Sequence, residues 1–129
     1  MNVLIIDDCA LEMRPMMEMW KDEIHLPITW KYAESSAEGM RLIEQEPIGL
    51  ILMDGHLIGE YGHEVVAKIR AQGITIPICM FSSSVEQNTL GEQAGAEYSV
   101  NKAMFSIDDF ETRDHLAAII NLAFINAPS

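Results

Sequence analysis

Residues 49–56 read GLILMDGH. Four consecutive apolar residues, Leu50 to Met53, lead directly into one acid, Asp54, and then a glycine. A short continuous apolar run bounded by turn residues predicts a strand buried on both faces, the type found in parallel sheets covered by helices. A single carboxylate at the end of such a strand is costly unless something pairs with it. The run therefore sets two questions: which helices cover the strand, and what neutralises Asp54.

The flanking sequence supplies the helices. Upstream, residues 2–6 (NVLII) form a second apolar run ending at Asp7-Asp8, followed by helical spacing over 10–21. Pro15 lies inside that segment, so the helix either begins near Arg14 or is distorted in its first turns. Residues 28–32 (ITWKY) are β-branched and aromatic. Ser35 or Ser36 then offers an N-cap for a helix over 37–46 that Pro47 stops. Downstream of Asp54, the loop GHLIGEYG opens a helix over 63–72 ending at Gly73. A strand is predicted over 75–81, a Ser84-capped helix over 85–94 closed by Gly95, and a fifth strand over 97–100. Ser106 and Asp109 have capping-box spacing before a last helix over 107–125. Five strands alternate with five helices, an α/β pattern whose connections require right-handed crossovers and a doubly wound parallel sheet.

With 129 residues and no linker or repeat, the chain is expected to be one domain over 1–129, with no output domain within it, either a stand-alone protein or the excised domain of a larger one. No window approaches the roughly 18 apolar residues of a membrane span, and MNVLIIDD meets acids too early for a signal peptide. A cytoplasmic protein is expected. The net charge of -12 argues against nucleic-acid binding and favours cations. Cys9 and Cys79 lack disulfide or metal-ligand spacing, and both are expected to be small buried side chains. Met13, Met16, Met17 and Trp20 fall at helical spacing and are expected to pack the core.

In doubly wound sheets, sites form at the carboxyl ends of strands near the topological switch point. Asp7-Asp8 end the first strand, Asp54 the third and Ser82–Ser84 the fourth, and Lys102 follows the fifth. Taken singly, these residues are a strand end, a DG turn, a helix cap and a solvated lysine. Together they place three carboxylates, hydroxyls and one ammonium along a single edge. Clustered carboxylates repel one another, and a hard divalent cation resolves the conflict while leaving room for a phosphoryl oxygen. Asp54 can then serve as a nucleophile forming an acyl phosphate, with lysine and hydroxyl binding the remaining phosphoryl oxygens. His56 and His63 flank this edge, where a transition-metal site is the alternative to exposed loop histidines. GHLIGEYG has neither the dinucleotide nor the P-loop pattern.

This arrangement resembles the receiver domain of two-component response regulators over about residues 2–125. The resemblance rests on VLIIDD at 3–8, LILMDG at 50–55, Gly62 eight residues after Asp54, IPICMFSS at 76–83 and AGAEYSVNK at 94–102. It implies a flavodoxin-like (βα)5 fold with sheet order 2-1-3-4-5. It also implies Asp54 as the phosphoacceptor, Asp8 as a direct Mg²⁺ ligand, Asp7 acting through water, and the backbone carbonyl of His56 on the metal. Mn²⁺ could replace Mg²⁺. By the same resemblance, Ser82 bonds the phosphoryl group and Lys102 pairs with it. The implied phosphoryl donor is a histidine kinase or histidine phosphotransfer protein. The implied output is a protein target, or a homodimer, contacted through the face formed by helix 4, strand 5 and helix 5, with no membrane or nucleic acid involved.

Four departures from the family stand out. Leu57 and Ile58 replace its frequent Met-Pro, and Ala103 replaces the proline after the lysine. A non-proline cis bond costs about 2.5–4 kcal/mol, so a trans bond or a strained turn is expected. The switch aromatic is absent from position 99, which is serine, and Tyr98 is one residue early. Successive strand residues face opposite sides, so Tyr98 substitutes only through a register shift or a bulge. The positions that tune hydrolysis hold His56 and Ser84. A complete phosphorylation site with altered readout is expected, not an enzyme beyond self-phosphorylation and autodephosphorylation. The competing functions are a degenerate receiver acting without phosphorylation and an aspartyl-nucleophile phosphatase. The haloacid-dehalogenase-like pattern of the latter needs an acid where His56 stands.

Overall fold

The computed structural model describes residues 1–105 and 110–126. Its main sheet contains β1 (Asn2–Ile6), β2 (Thr29–Ala33), β3 (Ile48–Met53), β4 (Ile78–Ser82) and β5 (Tyr98–Asn101). All neighbours run parallel, in the order β2-β1-β3-β4-β5. The helices are α1 (Ala10–Ile24), α2 (Ser36–Gln45), α3 (Gly62–Ala71), α4 (Val85–Ala94) and α5 (Phe110–Asn126). This is the expected doubly wound, flavodoxin-like fold.

The apolar runs are continuous because each strand feeds two cores. Val3, Ile5, Leu50, Leu52, Cys79, Phe81 and Val100 point to the α1/α5 side, where they meet Met17, Trp20, Leu116 and Ile120. Leu4, Ile6, Ile51, Met53, Ile78 and Met80 point the other way, onto Val65, Val66 and Ile69 of α3. Alternate residues of one strand thus fill opposite layers. Trp30 donates its indole N–H to the Met17 carbonyl at 3.1 Å, which ties β2 to α1.

Several local expectations are settled by packing. Pro15 lies within α1, which starts at Ala10. Ser35 caps α2 and Ser84 caps α4, each accepting from the backbone N–H three residues on. Met17 and Trp20 are buried, but Met16 is exposed, so the methionine stripe is wider than the core contact. Cys79 is buried as expected, whereas Cys9 is exposed because it lies at the N-cap of α1 beyond the sheet edge. The fourth strand is Ile78–Ser82, not 75–81, because Pro77 has no N–H for the ladder. The expected Ser106–Asp109 capping box lies outside the described residues. A two-residue antiparallel ladder pairing His56 with Tyr61 and Leu57 with Glu60 has no forerunner in the sequence reading.

Candidate phosphoacceptor site

β1 and β3 are neighbours, yet their following helices cover opposite faces of the sheet, α1 on one side and α3 on the other. The chain therefore parts at their carboxyl ends, the switch point where such folds place sites. Asp7 follows β1 and Asp54 follows β3, and both are buried, 2 % and 7 % exposed. The Asp54 N–H donates to the Ile6 carbonyl at 2.9 Å, extending the β1–β3 ladder by one rung and fixing its backbone.

Lys102 answers what neutralises Asp54. Its Nζ donates to Asp7 Oδ2 at 2.8 Å and to Asp54 Oδ1 at 3.3 Å. The other Asp7 oxygen, Oδ1, accepts the Cys9 N–H at 2.8 Å. Asp7 is thus committed on both oxygens, to the start of α1 and to the lysine. Burial pushes the Asp54 carboxyl above the ordinary carboxylate value, the Asp7 charge adds to this, and Lys102 opposes it. Burial pulls the Lys102 ammonium down, but its bonds and charge interactions with Asp7 and Asp54 outweigh that and leave it raised.

Asp8 stands at the half-buried rim. Its carboxylate, an Asp7 oxygen and Cys9 Sγ lie within 4.8 Å of one another. Asp8 also raises the Cys9 thiol above its usual value, keeping it protonated. Among the described residues Asp7 and Asp54 share the Lys102 ammonium, and Asp8 beside Asp7 adds a third carboxylate, so the set retains excess negative charge carried by oxygen donors. That donor set fits a hard divalent cation.

Glycine makes room at two points. A Cβ on Gly62 would lie 1.9 Å from the Asp54 carbonyl oxygen, so α3 can begin here only without a side chain. A Cβ on Gly55 would lie 2.6 Å from both Ser82 Oγ and Gln87 Cβ. Ser82 is therefore packed beside the residue that follows Asp54. It is buried, 2 % exposed, and its Oγ accepts the Ser84 N–H at 3.1 Å, leaving its own hydrogen to donate.

The remaining sequence candidates lie around this centre. His56 is exposed, and its ring meets Tyr61 edge-on at 5.4 Å. His63 stacks on the same Tyr61 ring at 5.6 Å, and its Nδ1 is hydrogen-bonded to Gln87 Oε1 at 3.0 Å. Both imidazoles contact the Tyr61 ring, and among the described residues neither belongs to the group of possible metal ligands formed by Asp7, Asp8 and Cys9. Gln87 and Asn88, both buried in α4, escaped the sequence reading because polar residues in a polar helix carry no periodic signal.

The described residues contain no cis peptide bond. After Lys102 the chain makes a short 3-10 turn over Lys102–Met104, in which Asn101 Oδ1 accepts the Ala103 N–H at 3.0 Å. β4 and β5 pair without a bulge, Cys79 opposite Tyr98 and Met80 opposite Ser99. Tyr98 therefore packs on the α1/α5 core, and Ser99 faces α4.

The model of the response regulator receiver domain matches residues 3–113. Among solved structures, the receiver domain of the Francisella response regulator 1452 is similar at 22% identity and a TM-score of 0.75, covering 98% of both chains. The signal receiver domain of a putative Luxo repressor protein from Vibrio parahaemolyticus aligns at 21% identity and a TM-score of 0.77, over 98% of this chain and 91% of that one. The response regulator TrrA from Thermotoga maritima, solved with Mg²⁺ and BeF, aligns at 21% identity and a TM-score of 0.71, over 95% and 97%. A comparison with curated proteins finds no match. The matched family model spans both acid-bearing strand ends and Lys102, and this chain belongs to the response regulator receiver domain family.

Proposed function

We propose that this chain accepts a phosphoryl group on Asp54 from a phosphohistidine of a histidine kinase or phosphotransfer protein, and signals through changed protein contacts. The observation behind this reading is the Lys102 ammonium bridging Asp7 and Asp54 at the switch point. In the reaction an Asp54 oxygen attacks phosphorus, the P–O bond forms as the P–N bond breaks, and the imidazole leaves with the electron pair. Lys102 neutralises charge on the transferring group, and the Ser82 hydroxyl donates to one of its oxygens. Asp7 holds Lys102 in place.

Mg²⁺, or Mn²⁺ with the same oxygen preference, would be held by Asp8 and Asp54, by Asp7 through water, and by the backbone carbonyl of His56. It supplies the positive charge that lets a carboxylate approach a phosphoryl dianion. The domain, 1–129, is a signalling module whose own chemistry is self-phosphorylation and autodephosphorylation. No helix among the described residues is long and apolar enough to cross a membrane. A cytoplasmic site of action is part of this proposal.

Incubation with acetyl phosphate and Mg²⁺ tests this reading. One phosphoryl group per chain is expected in wild type and none in Asp54→Asn. Equal uptake by the two proteins would sink it, and turnover of nitrophenyl phosphate would favour the phosphatase alternative. Ser99 keeps one further reading open, a receiver that binds its partner without phosphorylation. Partner capture undiminished by Asp54→Ala would support that reading.

A further inference from the structure

Helix α4 turns an unusual face to the sheet: its buried residues are Gln87, Asn88 and Gly91. Gly91 allows contact with Met80, since a Cβ there would lie 2.3 Å from its sulfur. The other two make hydrogen bonds. Asn88 Nδ2 donates to the Ser82 carbonyl at 3.0 Å and to the Val100 carbonyl at 3.4 Å. Both partners are carbonyls, so the orientation of the amide is fixed by chemistry. One side chain thus spans α4, the end of β4 and β5. Among the described residues, the buried Asn88 Oδ1 has no hydrogen-bond donor. An orphaned buried acceptor makes an arrangement easy to exchange for one that satisfies it.

Position 99 faces α4 but carries only a hydroxymethyl group, and Tyr98 is committed to the opposite core. The aromatic route from Ser82 to the partner face is therefore missing. We propose that Asn88 is a positioning residue that joins Ser82 to α4, so that α4 follows the state of Asp54 through this amide. When Ser82 is drawn toward an anion on Asp54, its carbonyl moves with it. Asn88 is bonded to that carbonyl and rigidly part of α4, so the helix is carried along. Few apolar contacts oppose the movement, because the inner face of α4 is mostly polar. The His63–Gln87 bond marks where α4 stays attached to α3.

This inference rests on Asp54 being the phosphoacceptor, and the test separates the two. The full chain, labelled with ¹⁵N, is titrated with beryllofluoride and Mg²⁺ as the phosphoryl mimic. In wild type the Ser82 amide, the Asn88 side-chain amide pair and the backbone amides of 85–94 are expected to shift together. In Asn88→Leu, shifts near Asp54 persist while those of 85–94 fall to less than half. Unchanged α4 shifts in that variant would overturn the link. If the variant fails to fold, the wild-type Asn88 side-chain signals decide: unmoved signals beside a shifted Ser82 overturn it as well. A wild type that responds no more than Asp54→Asn would overturn the phosphoacceptor reading, and this inference with it.

Discussion

Lys102 Nζ lies 2.8 Å from Asp7 Oδ2, closer than the 3.3 Å that separates it from Asp54 Oδ1. The ammonium is held mainly by Asp7 and less closely by Asp54, the proposed phosphoacceptor. Asp7 therefore works as a latch, keeping the cation beside Asp54 without saturating it.

This geometry predicts opposite effects at Lys102. Lys102→Met removes the competitor for the carboxylates, so Mg²⁺ affinity rises severalfold while beryllofluoride affinity falls. It also leaves two buried acids unpaired. Removing one partner of a fully buried pair costs about 3–5 kcal/mol, and partial exposure of the lysine reduces this to roughly 1–3 kcal/mol. Isothermal titration and urea unfolding of metal-free protein measure the two effects.

Asp54→Asn is expected to raise the melting temperature of metal-free protein at pH 7. The folded carboxyl of Asp54 is raised above its ordinary value by burial and by Asp7. Its contribution to stability is thus greatest below the unfolded pKa and is lost as pH rises through the folded one. At neutral pH the charge is a liability that asparagine lacks. The advantage of the variant shrinks as pH falls through the carboxylate range. Melts across pH 3.5–8 check the sign, and an advantage that grew on acidification would contradict it.

Gly62→Ala is expected to be severe. The added Cβ would meet the Asp54 carbonyl oxygen at 1.9 Å, a backbone atom that cannot swing aside. Overpacking costs typically 1–3 kcal/mol, and a backbone clash at this distance belongs at or above about 3 kcal/mol. Urea denaturation gives the value. Gly73→Ala, at φ 79 with open space around it, is the control that isolates backbone strain.

His56→Ala tests whether this imidazole tunes the lifetime of the phosphorylated state. The ring packs on Tyr61, so the substitution also loosens the 56–61 ladder. A several-fold change in dephosphorylation half-life is expected, with a smaller change in Tyr61→Phe, which retains the ring contact. Identical half-lives in wild type and His56→Ala would reduce His56 to a loop residue.

The apolar run of GLILMDGH determined much of the outcome by itself. A strand buried on both faces requires helices on both faces, and the order of runs and caps left one topology class. Asp7, Asp54, Ser82 and Lys102 were legible because strand ends of a parallel sheet share one edge. The exclusion of Tyr98 from the α4 side followed from strand alternation alone. Tertiary structure alone decided how the charges divide, because residues 95 apart in the chain must meet before one can claim the other: Lys102 chose Asp7 over Asp54. It alone placed Cys9 outside the core, paired His56 with Tyr61, and turned the polar side of α4 inward. Hydrophobic periodicity records only where apolar groups go. A buried amide that bonds two carbonyls leaves no such trace, and its partners are set by the packing of three elements at once.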